Sequence, residues 1–295
     1  MCKKTGRLEI CRGKRCLVCG MQDWISLYRG LVRCRECGFV TTSATHGKDE
    51  LLGLYGPSYF GGDEYADYLG DKVLIQRNLG RRLRGILEYV SCGSLVEVGS
   101  AYGFFLELAR RHFQVVGYEV AEDVACHARR VLGVPTESRD FLADETLAAN
   151  SVDAVVMWDV IEHVAAPDRF VQRSAELLRE GGYLFLTTGD VNAWLARWQG
   201  PRWRLIHPPT HLHYFSRRTL GELLVRTGFE LVRVTYPGYW RSVHQIIHGI
   251  FTFGGDGESH RLYRVLRRVL PQKMGVYLNT YDIMHVVARR NDVHN

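Results

Sequence analysis

Cysteines near the N-terminus stand in two matched pairs whose spacing is typical of a metal site. In each pair two residues separate the thiols, so a tight turn can place both thiolates on one ion. Gly20 and Gly38 follow the second cysteine of each pair, where such a turn needs a permissive backbone. Four thiolates complete the tetrahedral coordination of zinc, so the site should be structural rather than catalytic. The predicted ligands are Cys16, Cys19, Cys34 and Cys37.

The distribution of the cysteines favours metal binding over disulfides. Of the eight cysteines, six lie before residue 40, including Cys2 and Cys11. The first ten residues are polar and charged, unlike a secretory signal, and no apolar run reaches the roughly 18 residues of a membrane span. We therefore expect a cytoplasmic chain with reduced thiols. Cys11 is an alternative zinc ligand, and free thiols or a redox dithiol are the alternative to a metal site.

Small residues after the apolar run Leu95–Val98 predict a loop that binds a cofactor. Gly99 and Gly103 frame the turn and allow the backbone to approach a ligand. Glu119 ends the next predicted strand, 20 residues beyond Gly99, where an acidic side chain can accept both hydroxyls of a ribose. Nicotinamide dinucleotides share this geometry, but Phe104 stands where their motif needs a third glycine.

Histidines follow the predicted strands at the sheet edge where open α/β folds bind ligands. A neutral imidazole suits the general base for an oxygen nucleophile because its pKa lies near neutrality. His211 is the first candidate, then His163 and His207, and a pocket-wall or capping role is the alternative for each. His213 should point away from His211 if the segment is extended. Three tryptophans are expected in the same pocket wall: Trp194, Trp198 and Trp203.

The periodicity of apolar residues predicts the elements that position these groups. Amphipathic patterns predict helices at 72–89, 105–111, 167–179 and 217–227, the last capped by Ser216. Apolar runs predict strands at 95–98, 114–119, 154–157, 183–188, 230–236 and 282–290. This alternation predicts an α/β doubly wound sheet. The predicted divisions are a zinc-binding knob at 1–45, a connecting lid and helix at 46–92, and the main domain at 93–295 with an insertion at about 238–277.

Several motifs resemble those of class I S-adenosylmethionine (SAM)-dependent methyltransferases. The string E-x-G-x-A-x-G, starting at Glu97, is similar to that family's first motif, and Ser138-Arg-Asp-Phe matches the position that meets adenine. The string D-V-I-E-H-V, starting at Asp159, resembles the fourth-strand motif of small-molecule methyltransferases, including the ubiquinone-biosynthesis O-methyltransferases. H-L-H-Y-F-S at 211–216 resembles a motif of a bacterial group in which several members also carry an N-terminal cysteine knob. The resemblance runs from about residue 72 to 234.

The resemblance implies a Rossmann-like doubly wound sheet of seven strands with an antiparallel last strand, plus a small N-terminal zinc-ribbon knob. It implies SAM as the cofactor, alongside structural zinc. In that family the glycine-rich loop meets the methionine part of SAM, and acidic side chains meet the ribose and the adenine amino group. The implied SAM-binding residues are Glu97, Gly99, Ala101, Gly103, Phe104, Glu119, Val120, Asp140, Phe141, Trp158 and Asp159.

The resemblance favours methylation of a small-molecule acceptor, with oxygen as the expected target in natural-product, sugar or glycan metabolism. One alternative is an RNA base methyltransferase whose knob grips RNA. Asp159 and Glu162 stand where such enzymes carry an Asn/Asp-Pro-Pro-aromatic motif and would repel phosphate, so nucleic acid is not an expected partner. The other alternative is a non-catalytic SAM-binding scaffold, against which the intact loop and Glu119 argue. The formal charge of +6 permits anionic partners without requiring them.

Two segments outside the motifs could cover a pocket. The Gly- and Tyr-rich stretch at 55–68 is predicted to form a lid, or else to cover the apolar flank of the next domain. The insertion contains a predicted basic amphipathic helix at 261–269. Such a helix is compatible with a peripheral membrane surface, a lipid-linked substrate, a pocket cover or a homodimer contact.

Overall fold

The structure is a computed structural model that describes residues 13–44, 67–247 and 274–291, with residues 47, 50, 51, 53, 59, 60 and 65 between the first two ranges. The predicted amphipathic helix at 261–269, together with Cys2 and Cys11, lies outside the described residues. Within the described part of the chain, no helix is long and apolar enough to cross a membrane.

The described elements are numbered here in chain order. The strands are β1 (Trp24–Ser26), β2 (Leu31–Cys34), β3 (Val40–Thr42), β4 (Gly93–Val98), β5 (Phe113–Tyr118), β6 (Thr136–Glu137), β7 (Val152–Trp158), β8 (Leu178–Gly189), β9 (His213–Tyr214), β10 (Phe229–Thr235), β11 (Tyr239–Ser242), β12 (Gly275–Leu278) and β13 (Ile283–Arg290). The helices are α1 (Lys72–Leu87), α2 (Phe104–Ala109), α3 (Glu122–His127), α4 (Pro167–Leu177), α5 (Trp194–Gln199) and α6 (Arg217–Arg226).

The central sheet has seven strands in the order β10-β13-β8-β7-β4-β5-β6. Strands β4 to β8 pair in parallel, whereas β13 runs antiparallel to both β8 and β10. Strand β7 is buried at every position, because helices cover both faces of a parallel sheet. This arrangement confirms the predicted Rossmann-like fold with an antiparallel last strand. The carboxyl ends of β4, β5 and β7 meet at one edge of the sheet, and the loops that follow them contain predicted site residues.

The helices cover the sheet through one apolar face each. In α1, Leu79, Leu83 and Ile86 recur at helical spacing and are buried against the sheet, while arginines occupy much of the remaining surface. Helix α6 begins at Arg217, as the sequence predicts. The Ser216 hydroxyl accepts the Thr219 N–H, and the Thr219 hydroxyl in turn accepts the Ser216 N–H. This capping box fixes the chain direction just after the histidine-bearing segment.

Strands β1, β2 and β3 of the predicted knob form an antiparallel sheet, and β9 adds a fourth strand to it. Val40 and Thr41 of β3 pair with Tyr214 and His213, about 170 residues further along the chain. The knob therefore shares a sheet with the segment that carries the candidate catalytic histidines. The boundary predicted at residue 45 remains a prediction, and the knob packs directly against the main domain.

Strands β11 and β12 lie at the two ends of the predicted insertion and pair antiparallel with each other. This hairpin packs on helix α1 through β11. The Asn78 side chain makes two hydrogen bonds to the Trp240 backbone. Its Nδ2 donates to the Trp240 carbonyl and its Oδ1 accepts the Trp240 N–H, both at 2.8 Å. The guanidinium of Arg77 lies 3.5 Å from the centre of the Trp240 ring. These contacts fix one wall of the cavity described below.

Candidate active site

The loop between β4 and α2 has the backbone shape that a close-fitting cofactor needs. Gly99 and Gly103 have φ angles of +70° and +79°, in the left-handed region that favours glycine. A Cβ at Gly99 would lie 2.5 Å from a methyl of Val160, and one at Gly103 would lie 2.7 Å from a methyl of Val134. Both positions therefore require glycine, which explains the spacing seen in the sequence.

Glu119 connects this loop to the end of β5. One carboxylate oxygen accepts the Ala101 N–H at 2.9 Å, and the other accepts the Ala121 N–H at 3.0 Å. The side chain is buried, and burial raises its pKa above the usual range for glutamate. The carboxylate thus shapes the loop directly, and its predicted contact with a ribose remains a prediction.

A cavity of about 1340 Å³ opens beside the loop. Nine of the predicted site residues line it: Glu97, Gly99, Ala101, Phe104, Trp158, Asp159, His163, His207 and His211. Gly103, Glu119, Val120, Asp140 and Phe141 lie outside this lining. Phe141 packs instead between Tyr118 and Phe170, with ring centres 5.3 and 5.8 Å away. The structure therefore brings the glycine loop and the three histidines to one cavity.

A buried arginine that the sequence did not single out crosses the cavity wall from α1. Arg82 donates to Asp159 Oδ2 at 3.1 Å, and its guanidinium lies 4.9 Å from the Trp158 ring and 5.2 Å from the Tyr239 ring. Asp159 adopts a left-handed φ of +56°, and its N–H donates to the Thr187 hydroxyl. This network holds the end of β7 in a conformation that a non-glycine residue rarely adopts.

Three titratable side chains converge at the next turn: Glu162, His163 and His211. Their candidate ligand atoms all lie within 4.8 Å of one another, and the rings of His163 and His211 are 4.5 Å apart. His163 Nδ1 donates to the Thr210 carbonyl at 2.9 Å, so Nε2 is the nitrogen that can accept a proton in the neutral ring. Glu162 Oε2 is buried, and no described residue hydrogen-bonds to it. This cluster could act as a base or hold a divalent cation.

Burial sets the charge of this cluster. It raises the pKa of Glu162 to about 8, with the nearby Asp159 carboxylate as a second cause. Burial lowers the pKa of His163 to about 4 and that of His207 to about 4, and it lowers the pKa of His211 well below the usual range. The three imidazoles are therefore neutral near pH 7, and each is a weaker base than an exposed histidine.

The other side chains of this segment divide between the cavity and the core. His207 lies against His211, with ring centres 3.9 Å apart. His213 points away, as alternation predicts, and its ring nitrogens contact the Thr41 hydroxyl at 3.0 Å and the Val164 carbonyl at 3.1 Å. Trp203 lines the cavity. The prediction that all three tryptophans form the pocket wall is wrong, because Trp194 and Trp198 stack on each other at the surface.

Aromatic residues of the connecting segment lie over the glycine loop. Tyr59, Tyr65 and Tyr68 line the cavity, and the Tyr68 ring stacks on Phe104 with ring centres 5.5 Å apart. Burial raises the pKa of the Tyr68 hydroxyl well above its usual range. These positions support the lid interpretation of the segment, which remains a prediction.

The four N-terminal cysteines form a cluster that fits zinc. The sulfurs of Cys16 and Cys37 are 3.5 Å apart, those of Cys19 and Cys34 are 3.6 Å apart, and all four lie within 4.8 Å of one another. Tetrahedral zinc with bonds of about 2.3 Å requires sulfur separations of about 3.8 Å. The donor set and its geometry therefore suit a structural zinc ion.

The knob is connected to the catalytic segment by more than the β3–β9 pairing. Phe39 stacks on His213, with ring centres 5.7 Å apart, and contacts Phe215 at 5.1 Å. Arg218 of α6 donates to the Cys37 carbonyl, next to the sulfur atoms of the cysteine cluster. The order of the cysteine cluster and the position of the histidine segment should thus depend on each other.

Comparisons with known proteins agree with this geometry. Residues 72–234, more than half of the chain, match the family described as a methyltransferase domain. A ubiquinone biosynthesis O-methyltransferase of Chromobacterium violaceum is 30% identical over 158 residues, which cover 49% of this chain and 68% of that protein. The human mitochondrial ubiquinone biosynthesis O-methyltransferase is 27% identical over 179 residues, or 56% of this chain and 47% of the human protein. The matched part of this chain thus covers less than two thirds of the length of some of these relatives.

Solved structures share the fold at low sequence identity. A SAM-dependent methyltransferase from Archaeoglobus fulgidus superposes with a TM-score of 0.52 at 16% identity, covering 76% of this chain and 99% of that chain. A protein from Bacillus halodurans gives a TM-score of 0.53 at 14% identity, covering 73% of this chain and 100% of that chain.

Proposed function

The chain belongs to the class I SAM-dependent methyltransferases, and on that premise we propose that it methylates an oxygen atom of a small-molecule acceptor. The names of its relatives support oxygen as the target, since several are ubiquinone biosynthesis O-methyltransferases. The observation that carries the proposal is a single cavity that joins the glycine loop to the cluster of His163, Glu162 and His211.

The size of the cavity supports two ligands at once. Pockets for single small molecules measure about 300–1,000 Å³, and this cavity has about 1340 Å³. Gly99 and Phe104 line the part beside the cofactor loop, whereas His207 and His211 line the part beyond β7. A cofactor and a small acceptor can therefore occupy adjacent parts of one cavity.

The protein's contribution to the reaction is position and proton transfer. SAM supplies a methyl group on a sulfonium ion, which is already activated toward an in-line nucleophile. The loop held by Glu119 and the wall fixed by Arg82 and Asp159 would orient the donor and exclude water. His211 would accept the acceptor hydroxyl proton, and His163, whose Nδ1 is tied to the Thr210 carbonyl, would line the same reaction site.

The zinc ion would have a structural role. Four cysteine ligands leave no coordination position for substrate. The sheet that contains the knob also contains His213, two residues after His211. The metal would therefore act at a distance, by ordering the strand that continues the histidine segment.

The test is transfer of labelled methyl from SAM to a panel of hydroxylated small molecules, with transfer RNA as a separate sample. We expect label in at least one small-molecule product and none in RNA. His211→Ala should lower kcat by about 100-fold, the lower end of the range for a positioned base, because burial makes His211 a weak base; SAM affinity should not change. His112→Ala, at an exposed histidine remote from the cavity, is the matched control. SAM binding with no turnover on any acceptor would support the scaffold alternative.

A further inference from the structure

The cavity wall carries more positive charge than its own carboxylates neutralise. Arg82 is paired with Asp159 at 3.1 Å, and Arg204 is paired with Asp282 at 2.8 Å. Three further arginines that line the cavity form no ion pair with a carboxylate among the described residues. These three, called here the arginine rim, are Arg29, Arg202 and Arg241.

The arginine rim is assembled from three separate parts of the chain. Arg29 lies in the turn between β1 and β2, where its φ of +52° turns the chain and its guanidinium donates to the Ile206 carbonyl at 3.3 Å. Arg202 ends the short helical turn after α5, and Arg241 lies on β11. Like charges gathered in one cavity repel each other, so such an arrangement favours a ligand of opposite charge.

The acidic side chains in the same cavity do not pair with the arginine rim. Four carboxylates line the cavity: Asp71, Glu97, Asp159 and Glu162. Asp159 is paired with Arg82, and Asp71 accepts the Ser242 hydroxyl at 2.7 Å. Since no described carboxylate forms an ion pair with the rim, its three guanidinium groups are available to an anionic ligand.

The arginine rim and the candidate catalytic histidines line the same cavity. Arg202 lines it together with His207, and the His207 ring lies against His211 with ring centres 3.9 Å apart. Arg29 contacts the backbone at Ile206, next to His207. A group bound at the rim would therefore lie beside the proposed proton acceptor.

We propose that the methyl acceptor carries an anionic group, a phosphate ester or a carboxylate, which Arg29, Arg202 and Arg241 bind so that the acceptor hydroxyl faces His211. Guanidinium groups bind both kinds of anion through paired charge-assisted hydrogen bonds. The inference rests on the proposed function and adds the chemical class of the acceptor. It also gives the knob a direct part in acceptor binding, because Arg29 belongs to the knob hairpin.

Calorimetric titration of the full-length protein with inorganic pyrophosphate, and separately with succinate, tests the proposal. Each anion is added in the absence and in the presence of saturating S-adenosylhomocysteine, which keeps the cofactor's own carboxylate site filled. We expect saturable binding of at least one anion, with affinity that falls steeply as sodium chloride rises from low to physiological concentration. The anion that binds with the higher affinity identifies phosphate or carboxylate as the preferred group.

Substitutions locate the bound anion. Arg241→Gln should weaken binding by about tenfold or more, because each such arginine makes charged hydrogen bonds to the ligand. Arg202→Gln should weaken it less, because Arg202 is exposed and screened by solvent. Arg233→Gln, at an exposed arginine paired with Glu88 outside the cavity, is the matched control and should bind as the wild type does. Retained S-adenosylhomocysteine binding shows that each variant is folded.

Two results would overturn the proposal: no anion binding by the wild-type protein, or equal affinities in the Arg241→Gln and Arg233→Gln variants. Binding of S-adenosylhomocysteine is a separate result that tests the proposed methyl transfer. Anion binding at the rim without S-adenosylhomocysteine binding would contradict the proposed methyl transfer and leave the anion site standing. S-adenosylhomocysteine binding without anion binding would leave methyl transfer standing and remove the anionic acceptor.

Discussion

At the scale of single residues, Glu119 is the side chain on which the cofactor loop depends most. Its two carboxylate oxygens hold the backbone at Ala101 and Ala121. Glu119→Ala removes both hydrogen bonds and lets the loop relax. If the loss in cofactor binding equals one charged hydrogen bond, about 1.5–3 kcal/mol, SAM affinity should fall by about 10- to 150-fold. Calorimetric titration with SAM measures the change. Glu176→Ala, at an exposed carboxylate on α4, is the control, and equal SAM affinity in the two variants would contradict this role.

The buried histidines predict acid sensitivity. Burial lowers the pKa of His163, His207 and His285 to about 4 and that of His213 to about 3. Between pH 6.5 and these values the unfolded chain binds more protons than the folded one, so stability present at pH 7 is lost as the pH falls. The raised pKa of Glu162 acts in the opposite direction, because the folded state there binds a proton that the unfolded state has released.

We therefore compare the wild type with a His285 variant between pH 7.5 and pH 5, so that the other titrating groups contribute equally to both proteins. His285→Phe keeps an aromatic ring against Trp158 and removes one titrating group, so its loss of stability on acidification should be smaller. Thermal melts of both proteins across this pH range provide the measurement. Equal slopes for the variant and the wild type would show that His285 is not buried in its neutral form.

Part of the site could be predicted at the residue scale and part could not. Gly99, Gly103 and Glu119 follow a spacing fixed by backbone geometry, and the structure explains the need for each. Arg82 could not be recognised, because an amphipathic helix with several arginines does not indicate which one points inward. Phe141 was assigned to the cofactor by family resemblance, and in the structure its ring is buried between Tyr118 and Phe170.

At the scale of elements, the cysteine knob pairs with the histidine segment, so zinc bound there would order both. Metal analysis should find about one zinc per chain, as a single site with four cysteine ligands requires. Cys34→Ser removes a fully buried ligand and should release the metal and lower the melting temperature by about 5 °C or more. Because β9 pairs with β3, methyl transfer should fall further than SAM affinity. Cys92→Ser, at an exposed cysteine, should change neither property, and a folded, active, metal-free preparation would contradict the role of zinc.

The hairpin of β11 and β12 should depend on one side chain of α1. Asn78→Ala removes two hydrogen bonds to the Trp240 backbone, so amide hydrogen exchange in both strands should accelerate by about tenfold. Exchange within β4 should not change, since that strand lies in the central sheet. Unchanged protection in the hairpin would show that the Arg77 contact with Trp240 holds it without Asn78.

Local patterns predict single elements better than the contacts between them. Five strands of the central sheet, and helix α6, begin within two residues of their predicted positions, because apolar periodicity and capping are local signals. Strand β8 begins at Leu178, five residues before its predicted start and within the helix predicted at 167–179. The pairing of β3 with β9 joins residues far apart in sequence, and two-residue strands carry no periodicity. Trp194 and Trp198 were misplaced for the same reason: composition alone does not give the direction of a side chain on a short helix.

At the scale of the whole molecule, one cavity brings together the glycine loop, the histidine cluster, the knob and the insertion hairpin. The class of enzyme could be predicted from the sequence, because the cofactor motifs are local and are shared with a family. The acceptor could not, because its pocket is built from side chains contributed by four separate regions of the chain. The net charge of +6 does not indicate that three arginines line this cavity.

Calorimetric titration of the purified protein with SAM and, separately, with NADH tests the central claim most directly. The glycine loop and the position of Phe104 predict micromolar binding of SAM and none of NADH. Binding of NADH with comparable affinity, or failure to bind SAM, would contradict the assignment of this cavity to methyl transfer.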